Sequence, residues 1–344
     1  MIKGCFTALI TPFEHYSIDR EGLEKIIDFQ IQNGINGILA VGTTGESPSL
    51  SWHEHNETIE YIAGQCRNRC CCIAGTGSNN TRECIEATGH AAQAGASAVL
   101  LVDPYYNGPS SLEIRREYIA PVAEAFPAID IIPYVIPGRT GTQLLPEDLA
   151  LLSREFENVK TVKEATGNLG NMRRTRELCG PDFSILSGDD GMTFDMMTDS
   201  EINASGVISV ISNIIPKAVT DMVTYLKNGQ TDPAQHLADT LAPLFNLVSF
   251  KTIEKTPFGD VAFKARNPLP VKTLMSILGM PSGMCRRPLG KMTFNAINVI
   301  LDAARRVQST SPEIFQPIAD YFHVDIDDRL NNSDNWKDLC YENY

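Results

Sequence analysis

The sequence predicts an α/β protein whose eight parallel strands close into a (β/α)8, or TIM, barrel, and three observations lead to this prediction. Eight short apolar and β-branched runs occur between residues 5 and 211, and a helix-like stretch follows each run. Strands that are separated by helices pair in parallel. Eight such units in roughly 225 residues fit a closed barrel better than a doubly wound sheet, which usually has fewer strands.

The strands and helices are placed by their periodicity and by their end signals. The predicted strands lie at residues 5–11, 37–41, 71–74, 98–102, 129–135, 159–163, 183–186 and 206–211. The predicted helices lie at residues 21–33, 53–65, 81–94, 112–125, 146–155, 169–178, 192–199 and 216–227. Ser51 and Glu54 have the spacing of a capping box, and Pro216 stands where a first helical turn tolerates proline.

Composition limits the possible partners. The formal net charge of −13 and the isoelectric point near 4.9 argue against nucleic acid as a partner. No stretch has the apolar length of a membrane helix, and the first residues lack a signal-peptide pattern. We therefore expect a soluble, cytoplasmic protein that does not bind membranes.

The nine cysteines include a cluster formed by Cys66 and residues 70–72. Consecutive strand residues alternate faces, so these thiols do not easily converge on one metal ion. We interpret them as buried, reduced cysteines. No histidine and carboxylate cluster has metal-ligand spacing either, so the sequence predicts a mechanism without metal or organic cofactor.

Residues 159–165, VKTVKEA, contain the leading candidate for a catalytic group. Lys160 and Lys163 are three positions apart, so in a strand they point to opposite faces and one of them lies inside. Burial lowers the pKa of a lysine and makes its neutral amine a nucleophile towards carbonyl groups. The run alone leaves open a lysine whose head reaches water or Glu164. The barrel context favours a catalytic amine at Lys163.

In such barrels, catalytic groups lie at the carboxyl ends of strands and in the loops that follow. These ends carry hydroxyls, glycines, an arginine and the Lys163 amine, in the segments 42–47, 103–107, 134–141 and 187–190. The 42–47 loop, GTTGES, lacks the pattern of a phosphate-binding loop. It is suited to a small carboxylate, held by backbone N–H groups and two hydroxyls, although a plain strand-to-helix turn stays open.

Several motifs in order make the chain from residue 8 to residue 272 similar to the dihydrodipicolinate synthase (4-hydroxy-tetrahydrodipicolinate synthase) family. This family belongs to the pyruvate-dependent class I aldolases, the superfamily that includes N-acetylneuraminate lyase. The motifs are ALITPF at 8–13, TTGES at 43–47, PYYN at 104–107, Tyr134 with PGRTG at 137–141, KEATGN at 163–168, SGDD at 187–190, GVIS at 206–209 and NPLPVK at 267–272. They span roughly 265 of the 344 residues.

The resemblance implies a lyase of amino-acid biosynthesis, on the route to lysine and diaminopimelate. Lys163 would form an imine with pyruvate, and the derived enamine would attack L-aspartate-4-semialdehyde. Tyr134 matches the proton-relaying tyrosine, and Thr43 matches the hydroxyl that links it to a second tyrosine. Tyr106 matches that second tyrosine, which reaches across from a neighbouring subunit, so the resemblance implies a homo-oligomer, a tetramer built from dimers.

The resemblance also implies the substrate-binding groups. Thr44 matches the residue whose loop holds the pyruvate carboxylate, and Arg139 matches the guanidinium that recognises the carboxylate of the semialdehyde. The main chain at Gly188 and Ile208 matches positions near the bound substrate.

One residue departs from the family pattern. Family members usually have asparagine directly after the proton-relaying tyrosine, whereas this chain has Val135. Because neighbouring strand residues face opposite sides, we expect Val135 to point away from Tyr134 and to alter packing. The departure leaves open a related aldolase or dehydratase that acts on another 2-oxo acid. A catalytically silent homologue would be expected to have lost Lys163 or Tyr134.

A regulatory site for L-lysine follows from the same resemblance. The matching positions are Ser47, Trp52, His55, Asn79, Glu83 and Tyr105. An acidic residue for an ammonium group, an amide for a carboxylate and an aromatic wall suit an amino acid. The alternative is that Trp52 and His55 only pack the start of the second helix.

After the barrel we predict two further parts, which divide the chain into a barrel (1–230), a helical domain (231–307) and a tail (308–344). Residues 233–279 and 291–306 have the apolar periodicity of helices, and the family has a small helical domain here. The tail is acidic and contains five aromatics: Tyr321, Phe322, Trp336, Tyr341 and Tyr344. Two interpretations stay open, a clasp on a neighbouring subunit and a partly disordered appendage.

Overall fold

A computed structural model describes residues 2–342 of the chain, and its barrel is closed as predicted. The strands of this part are β1 (Gly4–Ala8), β2 (Phe13–Glu14), β3 (Ser17–Ile18), β4 (Gly37–Ala40), β5 (Cys71–Gly75), β6 (Ala98–Val102), β7 (Asp130–Val135), β8 (Thr161–Glu164), β9 (Ser184–Ser187), β10 (Gly206–Ser209), β11 (Ser249–Thr256) and β12 (Gly259–Arg266). The barrel order is β1-β10-β9-β8-β7-β6-β5-β4, and every neighbouring pair is parallel. All eight barrel strands fall at the predicted places.

The helices cover the outside of the barrel and form the C-terminal part. They are α1 (Arg20–Gln32), α2 (Trp52–Cys66), α3 (Thr81–Ala94), α4 (Ser111–Glu113), α5 (Ala120–Ala125), α6 (Pro137–Thr140), α7 (Pro146–Glu155), α8 (Leu169–Cys179), α9 (Thr193–Thr198), α10 (Pro216–Lys227), α11 (Thr231–Phe245), α12 (Leu269–Ile277), α13 (Phe294–Thr310), α14 (Gln316–Phe322) and α15 (Ile326–Asn331). The helix predicted at 112–125 is divided, because a π-helical segment, Ile114–Ile119, joins α4 to α5. Among the described residues, no helix is both long and apolar enough to cross a membrane.

The barrel closes where β1 and β10 approach each other very closely. Gly206 has φ +146°, and a Cβ at this position would lie 2.0 Å from the carbonyl oxygen of Gly4. A side chain would therefore push the two strands apart, and only glycine fits both the dihedral angle and the distance. The seam of the barrel depends on this residue.

The strands alternate between the barrel interior and the layer beneath the helices, as a period of two requires. Tyr134 belongs to the interior cluster, together with Leu100 and Ile208, whereas Val135 packs in the outer core. The expectation that Val135 points away from Tyr134 is confirmed. Lys163 is buried, while the Lys160 amine reaches the surface and contacts Glu157 at 3.6 Å.

The helix predicted over residues 233–279 is wrong in its middle, where β11 and β12 form an antiparallel hairpin. Exposed and more covered side chains alternate along both strands, which is the strand period. Thr256 opposes Gly259 in the register, so Pro257 and Phe258 form the turn. Gly259 has φ +117°, which ends a helical course of the chain.

The tail packs against its own chain. The Phe29 ring of α1 lies 5.4 Å from the Tyr321 ring and 5.2 Å from the Phe322 ring, between centroids. Arg329 donates to the carbonyl oxygens of Ser276 and Ile277, each at 2.6 Å. The expectation of partial disorder is thus wrong for residues 308–342, and these contacts lie within one subunit. The predicted tail residue Tyr344 lies outside the described residues.

A buried ion pair joins the C-terminal part to the barrel. The Lys272 amine on α12 lies 2.7 Å from a Glu46 carboxylate oxygen, and both side chains are 1% exposed. The amine also donates to the Thr11 carbonyl at 2.9 Å, and the second Glu46 oxygen accepts from the Arg286 amide at 2.8 Å. Loops after β1 and β4 are thereby fixed to α12 and to the segment that follows it.

Replacing Lys272 with methionine should lower the free energy of unfolding by about 3–5 kcal/mol, because the Glu46 carboxylate is left buried without its partner. Urea denaturation at fixed protein concentration, followed by circular dichroism, measures this change. The double variant Lys272→Met, Glu46→Gln should recover part of the loss, since it buries no uncompensated charge.

The matched control for this ion pair is Lys25→Met, which removes the exposed pair between Lys25 and Glu21, 2.6 Å apart. Exposed pairs contribute little, so the urea midpoint of this variant should stay at the wild-type value. Equal shifts in Lys272→Met and Lys25→Met would contradict the importance of the buried pair.

Candidate active site

The carboxyl ends of the barrel strands surround a cavity of about 220 Å³. Its wall contains Lys163, Tyr134, Thr43, Thr44, Arg139 and Gly188, which are six of the eight predicted catalytic and substrate-binding residues. Residues from the C-terminal part complete this wall: Val248, Ser249, Arg266 and Asn267. The cavity is therefore closed jointly by the barrel and by the residues that follow it.

Lys163 is on β8, and its side chain is 4% exposed. Burial lowers the pKa of the amine to about 7, the Arg139 charge adds to this effect, and the Asp190 charge opposes it. A large fraction of the amine is therefore neutral near pH 7. Its Nζ lies 4.3 Å from the centroid of the Tyr134 ring, because the two residues are register partners in adjacent strands.

Tyr134 is buried beside this amine. Burial raises the pKa of its hydroxyl to about 12, although the Arg139 charge lowers it. The phenol is accordingly protonated at neutral pH, and its O–H can donate a proton or a hydrogen bond inside the cavity. A neutral amine and a protonated phenol thus face the same space.

Asn267 holds two of the predicted binding residues in place. Its side-chain amide donates to the Thr44 hydroxyl at 2.9 Å, and its carbonyl oxygen accepts from the Arg139 guanidinium at 3.0 Å. Sequence reasoning used Asn267 only as part of a motif and gave it no role. It follows β12 directly, so the wrong helix prediction in this region hid its position.

Asp190 is a second residue that the sequence did not identify as part of the site. Its carboxylate is buried and accepts hydrogen bonds from the Ser209 hydroxyl, from the Val210 amide at 2.9 Å and from the Ile211 amide at 3.3 Å. Burial raises its pKa to about 6, so it carries a charge above neutral pH. The strand-end motif SGDD was the available signal, but it did not distinguish Asp189 from Asp190.

The other predicted residues are placed differently. A Cβ at Gly188 would lie 3.1 Å from Cε of Lys163, so glycine leaves room for the lysine. Ile208 lies in the barrel interior and is not among the residues that line the cavity. Tyr106 is 85% exposed on the loop after β6, and it lines neither this cavity nor the adjacent one described next.

The residues predicted for L-lysine lie around an adjacent cavity of about 210 Å³, which shares Thr43, Tyr134 and Arg139 with the first. Ser47 and Tyr105 line it. The remaining four lie close by in the fold. The Asn79 side chain accepts from the Tyr105 amide at 2.7 Å, the Glu83 carboxylate accepts from the Ser78 hydroxyl at 2.6 Å, and the Trp52 and His55 rings meet edge-on at 5.0 Å.

His55 is buried, and this burial lowers its pKa to about 4, so the ring is neutral at physiological pH. Within residues 2–342, no group of three or more histidine, cysteine, aspartate or glutamate side chains is arranged to hold a metal ion. The nine cysteines are all free thiols.

Comparison with known proteins agrees with this geometry. The sequence model of the dihydrodipicolinate synthetase family matches residues 1–304. The chain belongs to this family. A relative from Syntrophus aciditrophicus, named 4-hydroxy-tetrahydrodipicolinate synthase, is 42% identical over 293 residues, which are 85% of this chain and 94% of that protein. This member of the dihydrodipicolinate synthetase family is accordingly an enzyme, a lyase.

Solved structures of other family members have the same fold. The 4-hydroxy-tetrahydrodipicolinate synthase of Methylacidiphilum fumariolicum SolV superposes with a TM-score of 0.83 at 34% identity, covering 92% of this chain and 99% of that one. The Acinetobacter baumannii enzyme complexed with pyruvate has a TM-score of 0.79 at 33% identity, covering 89% and 99%. The Cyanidioschyzon merolae enzyme with lysine bound has a TM-score of 0.79 at 32% identity, covering 89% and 98%.

Replacing Asp190 with asparagine should lower the pKa of Lys163, because the Asp190 charge is the influence that raises it. Competitive acetylation with acetic anhydride across a pH series, followed by peptide mass spectrometry, measures the fraction of neutral amine. The half-maximal reactivity should move to lower pH than in the wild type.

The control for this measurement is Asp195→Asn, at an exposed position on α9 of the same chain segment. It should leave the Lys163 profile unchanged, and circular dichroism checks that both variants are folded. A profile that moves to higher pH in Asp190→Asn would contradict the electrostatic assignment.

Proposed function

We propose that this enzyme condenses pyruvate with L-aspartate-4-semialdehyde to give 4-hydroxy-tetrahydrodipicolinate, a step in the biosynthesis of lysine and diaminopimelate. The observation that carries the proposal is the buried Lys163 amine, whose pKa is lowered to about 7 in a cavity that also contains a protonated tyrosine. The name of the Syntrophus aciditrophicus relative supports the same reaction.

Lys163 acts as the nucleophile in the proposed mechanism. Its neutral amine attacks the carbonyl carbon of pyruvate, and loss of water leaves an imine. A proton then leaves the methyl group, and the electron pair of that C–H bond forms an enamine. The enamine carbon attacks the aldehyde of the acceptor, and the acceptor's own amine displaces Lys163 from the imine carbon. The imine is the electron sink, so the reaction requires no metal or organic cofactor.

Tyr134 is the proposed proton relay. It lies within reach of the imine because it is paired with Lys163 across two strands, and its phenol is protonated at the start of the reaction. Thr43 lines the cavity beside it and would link it to Tyr106. Since Tyr106 is almost fully exposed in the single subunit, we propose that it acts on the site of a neighbour in a homotetramer built from dimers.

The two carboxylates of the substrates have separate proposed partners. Thr44, fixed by Asn267, and the adjacent backbone would hold the carboxylate of pyruvate. Gly188 leaves space for the imine carbon next to Lys163, and the main chain at Ile208 would border the bound substrate from below. Arg139 would hold the acceptor's carboxylate, since a guanidinium provides two parallel donors for it.

The alternative, a related aldolase or dehydratase that acts on another 2-oxo acid, rested on Val135. The Val135 side chain packs in the outer core and not in the cavity. It therefore does not touch the substrate, and the synthase reaction is the better supported of the two.

Incubation with pyruvate and borohydride should attach a reduced pyruvyl group to Lys163, which peptide mass spectrometry locates. The initial rate of attachment should rise with pH through about 7, because only the neutral amine attacks. About a tenth of the amine is neutral one pH unit below the pKa, and about nine tenths one unit above it.

The matched control for this experiment lies on the opposite face of the same segment. Lys160→Met should keep the adduct, whereas Lys163→Met should lose it. Folded wild-type protein without an adduct, or with an adduct mapped to another lysine, would overturn the mechanism.

We also propose that L-lysine binds at the adjacent cavity and inhibits the enzyme. The lysine-bound structure of the Cyanidioschyzon merolae enzyme supports this proposal. The Glu83 carboxylate offers a partner for an ammonium group, while the neutral His55 ring adds no opposing charge. Ser47, Asn79 and Tyr105 provide polar groups, and Trp52 provides the aromatic wall. The shared residues Thr43, Tyr134 and Arg139 connect this cavity to the catalytic one.

Isothermal titration calorimetry should detect L-lysine binding to the wild-type protein, and Glu83→Gln should weaken it roughly ten-fold or more, because a charged hydrogen bond is lost. The control is Glu86→Gln, an exposed residue on the same helix that pairs with Arg82 at 3.0 Å. No heat of binding to wild type at millimolar L-lysine, or equal affinities of the two variants, would contradict this site.

A further inference from the structure

The hairpin that the sequence did not predict brings basic side chains to the mouth of the catalytic cavity. Its strands carry Lys251, Lys255, Lys264 and Arg266, in a chain whose net charge is −13. Arg266 is the last residue of β12 and lines the same cavity as Lys163 and Arg139. An element outside the barrel therefore supplies a second arginine to the site.

Arg266 and Arg139 are held side by side by reciprocal contacts. The Arg139 guanidinium donates at 3.0 Å to the carbonyl oxygen of Asn267, the residue next to Arg266. The Arg266 guanidinium in turn donates at 3.4 Å to the carbonyl oxygen of Gly138, the residue next to Arg139. Their mutual repulsion contributes to lowering the pKa of Arg139. Two like charges are thus kept close together at one wall of the cavity.

Neither arginine forms an ion pair with any carboxylate among the described residues. Other arginines with similar surroundings do: Arg286 lines a neighbouring groove and lies 2.7 Å from Glu54. Bringing two cations together without a counter-charge is costly unless an anion joins them. The missing partner is therefore expected to come from a ligand.

The neighbouring groove extends the same positive wall. It has a volume of about 490 Å³ and shares Thr43, Arg139, Arg266 and Asn267 with the catalytic cavity. Lys264 also lines it, and the charges of Arg266, Lys251 and Arg139 lower its pKa. An anionic molecule that enters the cavity by this groove passes cations, which attract it on an otherwise acidic protein.

We propose that Arg266 acts together with Arg139 as a two-guanidinium clamp on the carboxylate of the acceptor aldehyde. This role rests on the proposed function, in which pyruvate occupies the inner part of the cavity at Lys163 and Thr44. The acceptor then lies on the outer side, between the barrel rim and the hairpin. Each guanidinium supplies a pair of N–H donors, so one carboxylate can accept from both.

Steady-state kinetics of the variants Arg266→Met and Arg266→Lys test this clamp. Arg266→Met should raise the KM for L-aspartate-4-semialdehyde roughly ten-fold to one-hundred-fold, because charged hydrogen bonds are lost. Trapping of pyruvate by borohydride at Lys163 should remain at the wild-type rate. Arg266→Lys should recover part of the KM, since it restores the charge but not the fork.

The matched control is Lys255→Met on the same hairpin. Lys255 lies near the turn and lines neither the cavity nor the groove, so the KM should stay at the wild-type value. An unchanged acceptor KM in Arg266→Met, with normal pyruvate trapping, would overturn the clamp alone. A fall in kcat that Arg266→Lys does not restore would indicate a purely structural contact with Gly138 and would also overturn it. Wild-type protein that forms no pyruvate adduct would overturn the proposed function itself.

Discussion

The buried ion pair between Lys272 and Glu46 is the interaction on which the geometry of the site depends. Glu46 has a left-handed backbone, with φ +58°, in the loop that also carries Thr43 and Thr44. A charged residue at such a position is held there by its partners, and Lys272 is the principal one. Asn267, five residues before Lys272, then reaches Thr44. The C-terminal part of the chain is therefore part of the catalytic structure.

The part of the site that the sequence predicts well is the part governed by strand alternation. Whether Lys163 or Lys160 lies inside, and whether Val135 touches the cavity, follows from a period of two that holds within a few residues. The barrel itself is predictable because each strand and helix has its own local pattern and because eight such units close in one way. These conclusions need no knowledge of distant contacts.

The features that the sequence did not yield depend on contacts between distant segments. The β11–β12 hairpin replaced a predicted helix, since a short alternating run between helices is ambiguous and Pro257 was the only strong turn signal nearby. The role of Asn267 needs the loop after β4, which is more than two hundred residues away. The tail is ordered by the ring of Phe29 on the first helix, and composition alone does not show such packing.

Electrostatics connects the position of these distant segments with the chemistry of the amine. The Arg139 charge favours the neutral form of Lys163, and the Asp190 charge opposes it, while burial outweighs both. The cations at the rim thus serve two purposes in the proposed reaction: they receive carboxylates, and they keep the amine unprotonated before it attacks. A bound carboxylate neutralises part of their charge, so the pKa of nearby basic groups rises once a substrate is held. The amine is consequently most nucleophilic in the empty site, where attack on the first substrate is the next step.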